Sequence, residues 1–362
     1  MTTLPNTERR DKSVATWLLV CCGLVFAMVV LGGVTRLTGS GLSMAEWRPI
    51  MGALPPLTEA EWQRVFDIYK QTPEFLHVNS HMDVEDFKGI FWLEYLHRLL
   101  GRLIGFAFAV PLAWFAVRRY IPVRQLPWYL FLLALGAAQA FIGKIMVASG
   151  QVDAPAVSHY KLTAHLAAAF LVYSLMLWSA MNLLRPRTTA APHPWFRQSV
   201  TVTALVSVTI LSGGFVAGLK AGKIFNTFPM MGDYWIPPGV MALSPGWRNF
   251  FDNPAMVQLD HRILAITTFI VVVTFGLRLW RSPLGDRARL GVFMLLASVF
   301  VQVSLGILTL VLHVPVALAA AHQAVGLLLL TSALFLTHAL AREPETRPAR
   351  PAKSSTASAA AL

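Results

Sequence analysis

The chain has 362 residues, of which 56% are hydrophobic and 13% are charged, and its formal net charge is +12. A mean hydropathy of +0.57 implies more apolar surface than one soluble core can bury, which excludes an ordinary soluble domain and indicates an integral membrane protein. The positive charge does not indicate nucleic-acid binding, because many of the basic residues lie in alternate short connections and at both termini.

Taken in chain order, apolar runs of about 20 residues predict eight membrane-spanning helices. Their predicted ranges are residues 14–34, 90–117, 126–147, 159–184, 198–219, 258–280, 290–312 and 315–341. Since lipid offers no partner to an unpaired strand edge, the predicted fold class is all-α.

The first run is too long for a signal peptide and lacks a small-x-small cleavage pattern, so we predict an uncleaved helix. The placement of Lys and Arg predicts both termini on the cytoplasmic or matrix side and the long loops 35–89 and 220–257 outside.

Loop 35–89 contains one predicted helix. Thr58-Glu59-Ala60-Glu61 has the form of a capping box, and Trp62, Val65, Phe66 and Tyr69 follow at helical spacing. An amphipathic helix at the outer surface fits this pattern, either as a lid over the first four spans or as a plain interfacial anchor.

At the other end of the chain, residues 343–362 are rich in Pro and Ala and are predicted to form a disordered tail.

An internal repeat divides the chain into residues 1–190 and 191–342. The motifs of the first half are Pro49-Ile50-Met51-Gly52, Pro55-Pro56, His97-Arg98, and Gln139-x-x-x-Gly143 before His165. Their counterparts are Pro229-Met230-Met231-Gly232, Pro237-Pro238, His261-Arg262, and Gln302-x-x-x-Gly306 before His322. We therefore predict two four-helix bundles. Each has an even number of spans, so both run in the same direction, with a pseudo-two-fold axis along the membrane normal.

Four histidines, His97, His165, His261 and His322, hold repeat-equivalent positions near the outer ends of the even-numbered spans. Two helices of one bundle can present such imidazoles toward each other, which is how a haem iron is held between axial nitrogens. A single one of them would more often be a hydrogen-bonded residue at a helix end. Histidine pairs also bind copper or non-haem iron, although non-haem iron usually adds a carboxylate. Four at equivalent positions favour haem iron.

The residues around these histidines allow two interpretations. Gly101 and Gly105 follow His97, and Ala167 to Ala169 follow His165, which fits either a flat macrocycle or ordinary close helix packing. Arg98, Arg102 and Arg262 either pair with haem propionates, because guanidinium groups bind carboxylates bidentately, or extend to the membrane interface.

The two halves differ at one position beside the histidines. Glu94 lies three residues before His97, on nearly the same helix face, whereas Gln258 lies three residues before His261. A carboxylate at one site and an amide at the other predict chemistry in the first half and cofactor retention in the second.

These motifs resemble those of the haem A synthase family of bacteria and mitochondria. The resemblance spans residues 20–341 and rests on Gly33-Val34-Thr35-Arg36-Leu37-Thr38, Ser40-Gly41-Leu42-Ser43-Met44, Trp47-x-Pro49, Phe87-Lys88-x-Ile90-Phe91, Glu94-Tyr95-x-His97-Arg98 and Asn226-Thr227-Phe228-Pro229-Met230. It implies oxidation of the C8 methyl group of haem O to a formyl group, giving haem A, in a bacterial or mitochondrial inner membrane. Some members carry a cysteine pair in the first outer loop. Loop 35–89 has none, so the chain resembles the proteobacterial and mitochondrial branch.

The resemblance also assigns roles to the site residues. It implies a substrate haem in the N-terminal half, with Glu94 catalytic beside His97 and His165, and haem B in the C-terminal half between His261 and His322. We expect electrons to pass from haem B to the substrate haem, where dioxygen is used, while Glu94 relays protons or orients water during successive hydroxylations.

Two alternatives stay open on the sequence alone: a di-haem membrane cytochrome that only transfers electrons, and a transporter that binds no haem. The expected partners are haem O, dioxygen and membrane lipid. The electron donor, a partnership with the haem O synthase and the formation of a homo-oligomer also stay open.

Overall fold

The computed structural model describes residues 4–46, 54–150, 156–185 and 191–342. The predicted tail and the motif at residues 49–52 lie outside this part of the chain. The α-helices within it are α1 (Leu4–Leu37), α2 (Glu59–Tyr69), α3 (Val84–Val117), α4 (Leu126–Ala148), α5 (His159–Leu184), α6 (Phe196–Gly218), α7 (Asn249–Asp252), α8 (Pro254–Trp280), α9 (Asp286–Val311) and α10 (Val316–Arg342).

Eight helices in the described ranges are long and apolar enough to cross a membrane, which confirms the predicted number of spans and the all-α class. Several begin before the predicted span, and in two of them a capping residue accounts for the earlier start. The α3 helix begins at Val84 rather than near residue 90, since the Asp83 carboxylate accepts hydrogen bonds from the backbone of Glu85 and Asp86 at 2.9 Å. Likewise, Asn253 caps α8 ahead of Pro254.

The spanning helices of the two halves contact one another in the same order. In the first half α1 and α4 each pack against α3 and α5, and in the second half α6 and α9 each pack against α8 and α10. Between the halves, α1 meets α10, α5 meets α6, and α5 meets α10. The α1 and α10 helices are therefore the most buried of the spans, and α4 and α9 are among the least.

One apolar core runs between α1, α5 and α10, where Leu18, Ala180 and Leu336 are almost completely buried. Cys21 and Cys22 lie in this core as free thiols.

The predicted amphipathic helix in the first long loop is α2. Thr58 caps it in a capping box with Glu61, as the sequence pattern indicates. Its apolar face packs on the start of α3 through Trp62, which lies 5.0 Å from Phe91 between ring centroids, and through Tyr69, which stacks on Phe87 at 4.9 Å. The same aromatic cluster includes Tyr95, so α2 covers the end of α3 that carries Glu94 and His97.

Candidate functional site

Each of the four predicted histidines has its imidazole against a glycine of the spanning helix that precedes it in the chain. A Cβ atom added to that glycine would come closer to the imidazole than side chains normally approach, so the position accepts only glycine without moving the ring. The distances from the added Cβ atom to imidazole Cε1 are 2.8 Å for Gly32 and His97, 3.1 Å for Gly143 and His165, 3.2 Å for Gly213 and His261, and 2.9 Å for Gly306 and His322.

The histidines come together as two pairs, one in each half. His97 lies within electrostatic range of His165, and His261 lies within electrostatic range of His322. All four side chains are half-buried. Across the described ranges, no three or more His, Cys, Asp or Glu side chains form a cluster that could hold a metal ion. Two imidazoles are the donor set of a six-coordinate haem iron, which takes its other four nitrogens from the macrocycle.

The second-half histidines are anchored through Nδ1. Ser212 Oγ lies 2.7 Å from His261 Nδ1, and the Gln302 carbonyl oxygen lies 3.2 Å from His322 Nδ1. Such contacts fix the orientation of a ring and the nitrogen that it presents to a ligand.

The first half is arranged differently. His165 Nδ1 is buried and has no hydrogen-bond partner among the residues that the structure describes. The Gln139 side-chain amide instead donates to the backbone carbonyl of His165, at 2.9 Å. The orientation of the His165 ring is therefore not fixed by a hydrogen bond at Nδ1 from the part of the chain that the structure describes.

Glu94 is only 3% exposed, and several donors converge on its carboxylate. Its Oε2 accepts hydrogen bonds from Ser43 Oγ at 2.7 Å and from the Met44 backbone N–H at 2.8 Å. Its Oε1 pairs with the Arg98 guanidinium, which also donates to the carbonyl oxygens of Met44 at 3.0 Å and Glu46 at 3.3 Å. The carboxylate is thus held in one orientation beside His97.

The second half keeps the arginine and replaces the acid. Gln258 is 2% exposed and donates to the Phe225 carbonyl oxygen at 3.0 Å. Arg262 donates to four carbonyl oxygens of the loop after α6, those of Phe225, Thr227, Pro229 and Met230. The observed partners of Arg98 and Arg262 therefore include loop carbonyls, a role that the sequence did not suggest.

A cavity of about 300 Å³ lies between α2 and this site. Its walls include Ser43 and Arg98, which both bind Glu94, and Arg64 and Val65 of α2. The α2 helix therefore covers a cavity that extends to the hydrogen-bond partners of Glu94.

A second buried carboxylate, Glu74, is hydrogen-bonded to the last residue of α2. It is 7% exposed and accepts a hydrogen bond from the Tyr69 hydroxyl at 3.1 Å, and that hydroxyl accepts one from Asn79 at 2.8 Å. Burial raises the pKa of Glu74 to about 7; the Tyr69 hydrogen bond and Lys220 oppose this rise, and the charge of Glu94 adds to it.

The sequence interpretation missed the glycines that touch the histidines. It pointed to Gly101 and Gly105, but Gly101 faces Met28 and Gly105 has open space around it. Two signals were available. Leu31-Gly32-Gly33 and Ser212-Gly213-Gly214 are matching segments of α1 and α6, and Gly143 and Gly306 end the repeated Gln-x-x-x-Gly motif.

Comparison with known proteins agrees with the motif resemblance. The profile of the COX15-CtaA family, described as cytochrome oxidase assembly protein, matches residues 15–334. A "Heme A synthase" of Nitrosospira multiformis is 49% identical over 350 residues, covering 94% of this chain and 98% of the relative. "Heme A synthase COX15" of Arabidopsis thaliana is 44% identical, covering 92% of this chain and 75% of the relative. The mouse protein of the same name is 42% identical, with shares of 92% and 84%.

Proposed function

The chain belongs to the COX15-CtaA family of cytochrome oxidase assembly proteins, and from this premise we propose that it is a haem A synthase, a membrane oxidoreductase that converts haem O to haem A. The observation that carries the proposal is the buried Glu94 beside one histidine pair, where the other half has Gln258. A pure electron carrier would need no such difference between its two halves.

We further propose that residues 1–190 and 191–342 are two four-helix units in a bacterial or mitochondrial inner membrane. The repeated order of helix contacts and the four glycine–histidine contacts support this division. The distribution of basic residues supports both termini on the cytoplasmic or matrix side, which places α2 and both histidine pairs toward the outer side.

The residues present fit a haem in each half. Paired imidazoles, each lying against a glycine, would hold a haem iron in each half. We assign His97 and His165 to the substrate haem O, and His261 and His322 to haem B. Haem B, when bound, supplies electrons one at a time from a donor.

Arg98 and Arg262 serve the bound haems in this proposal by fastening the loop that follows α1 or α6. Each arginine directly follows a proposed ligand histidine in the chain, and its guanidinium group donates hydrogen bonds to carbonyl oxygens of that loop. The loops close the ends of the two sites, and the guanidinium charge favours the propionates there.

Glu94 is the residue that handles protons. Oxidation of a methyl group to a formyl group by two hydroxylations consumes dioxygen, electrons and protons, so the site needs a group that exchanges protons at a fixed position. Glu94 Oε2 does this through the Ser43 hydroxyl, and Ser43 lines the cavity under α2. The aromatic face of α2 shields the site from bulk water.

The test is Glu94→Gln, expressed in a host that makes haem O and has no haem A synthase of its own. We expect haem A to fall by at least about a hundredfold, with haem O accumulating, because the amide cannot exchange the proton. The haems are extracted and separated by chromatography. Glu85→Gln, at an exposed carboxylate of the same helix, is the matched control.

Full conversion by the Glu94→Gln variant would contradict the role of Glu94. If the unmodified protein held haem B alone in such a host, the electron-carrier function would replace the synthase.

A further inference from the structure

Matching positions of α1 and α6 differ by one side chain next to a histidine. The segments are Leu31-Gly32-Gly33 and Ser212-Gly213-Gly214. The first glycine of each pair lies against the histidine of its own half, so Leu31 and Ser212 occupy equivalent places.

Ser212, together with the Thr209 carbonyl oxygen beside it, favours a proton on Nδ1 of His261. Its hydroxyl donates to the Thr209 carbonyl oxygen at 2.7 Å and lies 2.7 Å from His261 Nδ1. A hydroxyl has one proton to donate, so its oxygen accepts the second bond from a protonated Nδ1. His261 Nε2 is therefore unprotonated, which is the form that binds a metal. His322 has the same tautomer, because the Gln302 carbonyl oxygen can only accept from Nδ1.

The first half has no equivalent anchor. Leu31 offers no hydrogen-bonding group, and His165 Nδ1 has no partner within the described residues. A histidine whose second nitrogen is hydrogen-bonded is a more basic and better oriented ligand than one without such a bond.

We propose that Ser212 is a positioning residue that makes His261 a lasting haem ligand, and that Leu31 at the equivalent place lets the first half release its haem. This rests on the proposed function. A substrate site has to exchange haem O for haem A in every cycle, whereas a cofactor site has to keep its haem. The side chain before the diglycine sets the two exchange rates.

The experiment measures how fast each haem leaves the purified, haem-loaded protein. Apomyoglobin in excess captures the released haem, and chromatography of the captured haem separates haem B from haem O and haem A. We expect Ser212→Ala to release haem B roughly 10- to 100-fold faster, the range found when partners of metal-bound histidines are removed. Leu31→Ser adds a hydroxyl beside His97, and we expect it to slow the release of haem O and haem A.

The matched control is Ser207→Ala. Ser207 lies on the same helix and donates to the Thr203 carbonyl oxygen at 2.8 Å, so the change removes a hydroxyl away from the histidine. Unchanged release of haem B from Ser212→Ala would overturn the proposal, and so would equal acceleration by Ser207→Ala. The proposed function is judged separately, by whether the unmodified protein yields haem A.

Discussion

A glycine in the middle of a helix is normally a weakness, because alanine at the same place stabilises the helix by about 0.5–1 kcal/mol. Four glycines of this molecule lie inside helices, each five residues before the helix ends, and each leaves room for the imidazole of the next spanning helix. At these positions, room for the imidazole takes precedence over the stability that alanine would add to the helix.

Gly306→Ala tests this at the residue scale. The new Cβ atom would lie 2.9 Å from His322 Cε1, so we expect the imidazole to move and the haem content per protein to fall to less than about half. This loss is expected even though alanine has a higher helix propensity than glycine. Gly136→Ala on α4 is the control, since nothing lies within 4 Å of its added Cβ atom. The measurement is the Soret absorbance per protein, and equal haem content in both variants would refute the role of the glycine.

At the scale of elements, α2 is held by contacts that lie outside its own eleven residues. Its aromatic face is buried on α3, and the hydroxyl of its last residue, Tyr69, donates to the buried Glu74. The charges of Glu94 and Lys220 act on Glu74, so the hydrogen bond that attaches α2 to Glu74 is coupled to the charged residues around the site.

We expect the fastening of α2 to weaken with rising pH. The pKa of Glu74 in the folded protein, about 7, is above the ordinary carboxyl value of 4.5, so protonation favours the folded state. The stabilisation by protonated Glu74 is complete at pH values below the pKa of Glu74 in the unfolded chain. It is lost as the pH rises through the pKa of Glu74 in the folded protein. Amide hydrogen exchange in α2, corrected for intrinsic rates, should then show local opening on the order of tenfold more frequent near pH 8 than near pH 5.5.

Glu74→Gln provides the control for this prediction. The amide stays neutral at every pH, so the difference in α2 opening between the two conditions should disappear. If the variant keeps the same pH dependence, Glu74 is not the group responsible, and the prediction is wrong.

At the scale of the whole molecule, two of the helices that carry histidine-contacting glycines, α1 and α6, also join the halves. A Cβ atom on Gly33 would lie 2.7 Å from the Gln323 side chain on α10, and one on Gly214 would lie 3.1 Å from the Thr163 side chain on α5. In each diglycine the first residue thus faces a histidine and the second faces the other half. A shift between the halves would therefore reach both histidine pairs.

Gly218→Ala tests the junction between the halves. An added Cβ atom would lie 2.7 Å from His159 Cα, and a backbone atom cannot rotate out of the way, so α5 and α6 have to separate. We expect a loss of about 1–3 kcal/mol in stability, read as a lower Tm in detergent. Gly89→Ala on α3, where the added atom meets nothing within 4 Å, should leave Tm unchanged or raise it. Equal Tm values would show that the junction adapts without cost.

The sequence by itself determined the eight spans, the internal repeat, the four histidines and the contrast between Glu94 and Gln258. These features are local, because lipid requires about 20 apolar residues in each span, and a polar residue within such a run is conspicuous. The capped α2 helix was equally readable, since its signal lies within twelve consecutive residues, Thr58 to Tyr69.

Only the tertiary structure decided which glycine touches which histidine, that Ser212 anchors His261, and that Arg98 and Arg262 hold loops. These contacts join residues on different helices, so they depend on how each helix is rotated about its axis. In a membrane helix both the lipid-facing and the core-facing sides are apolar, so the sequence carries little periodicity from which that rotation could be predicted.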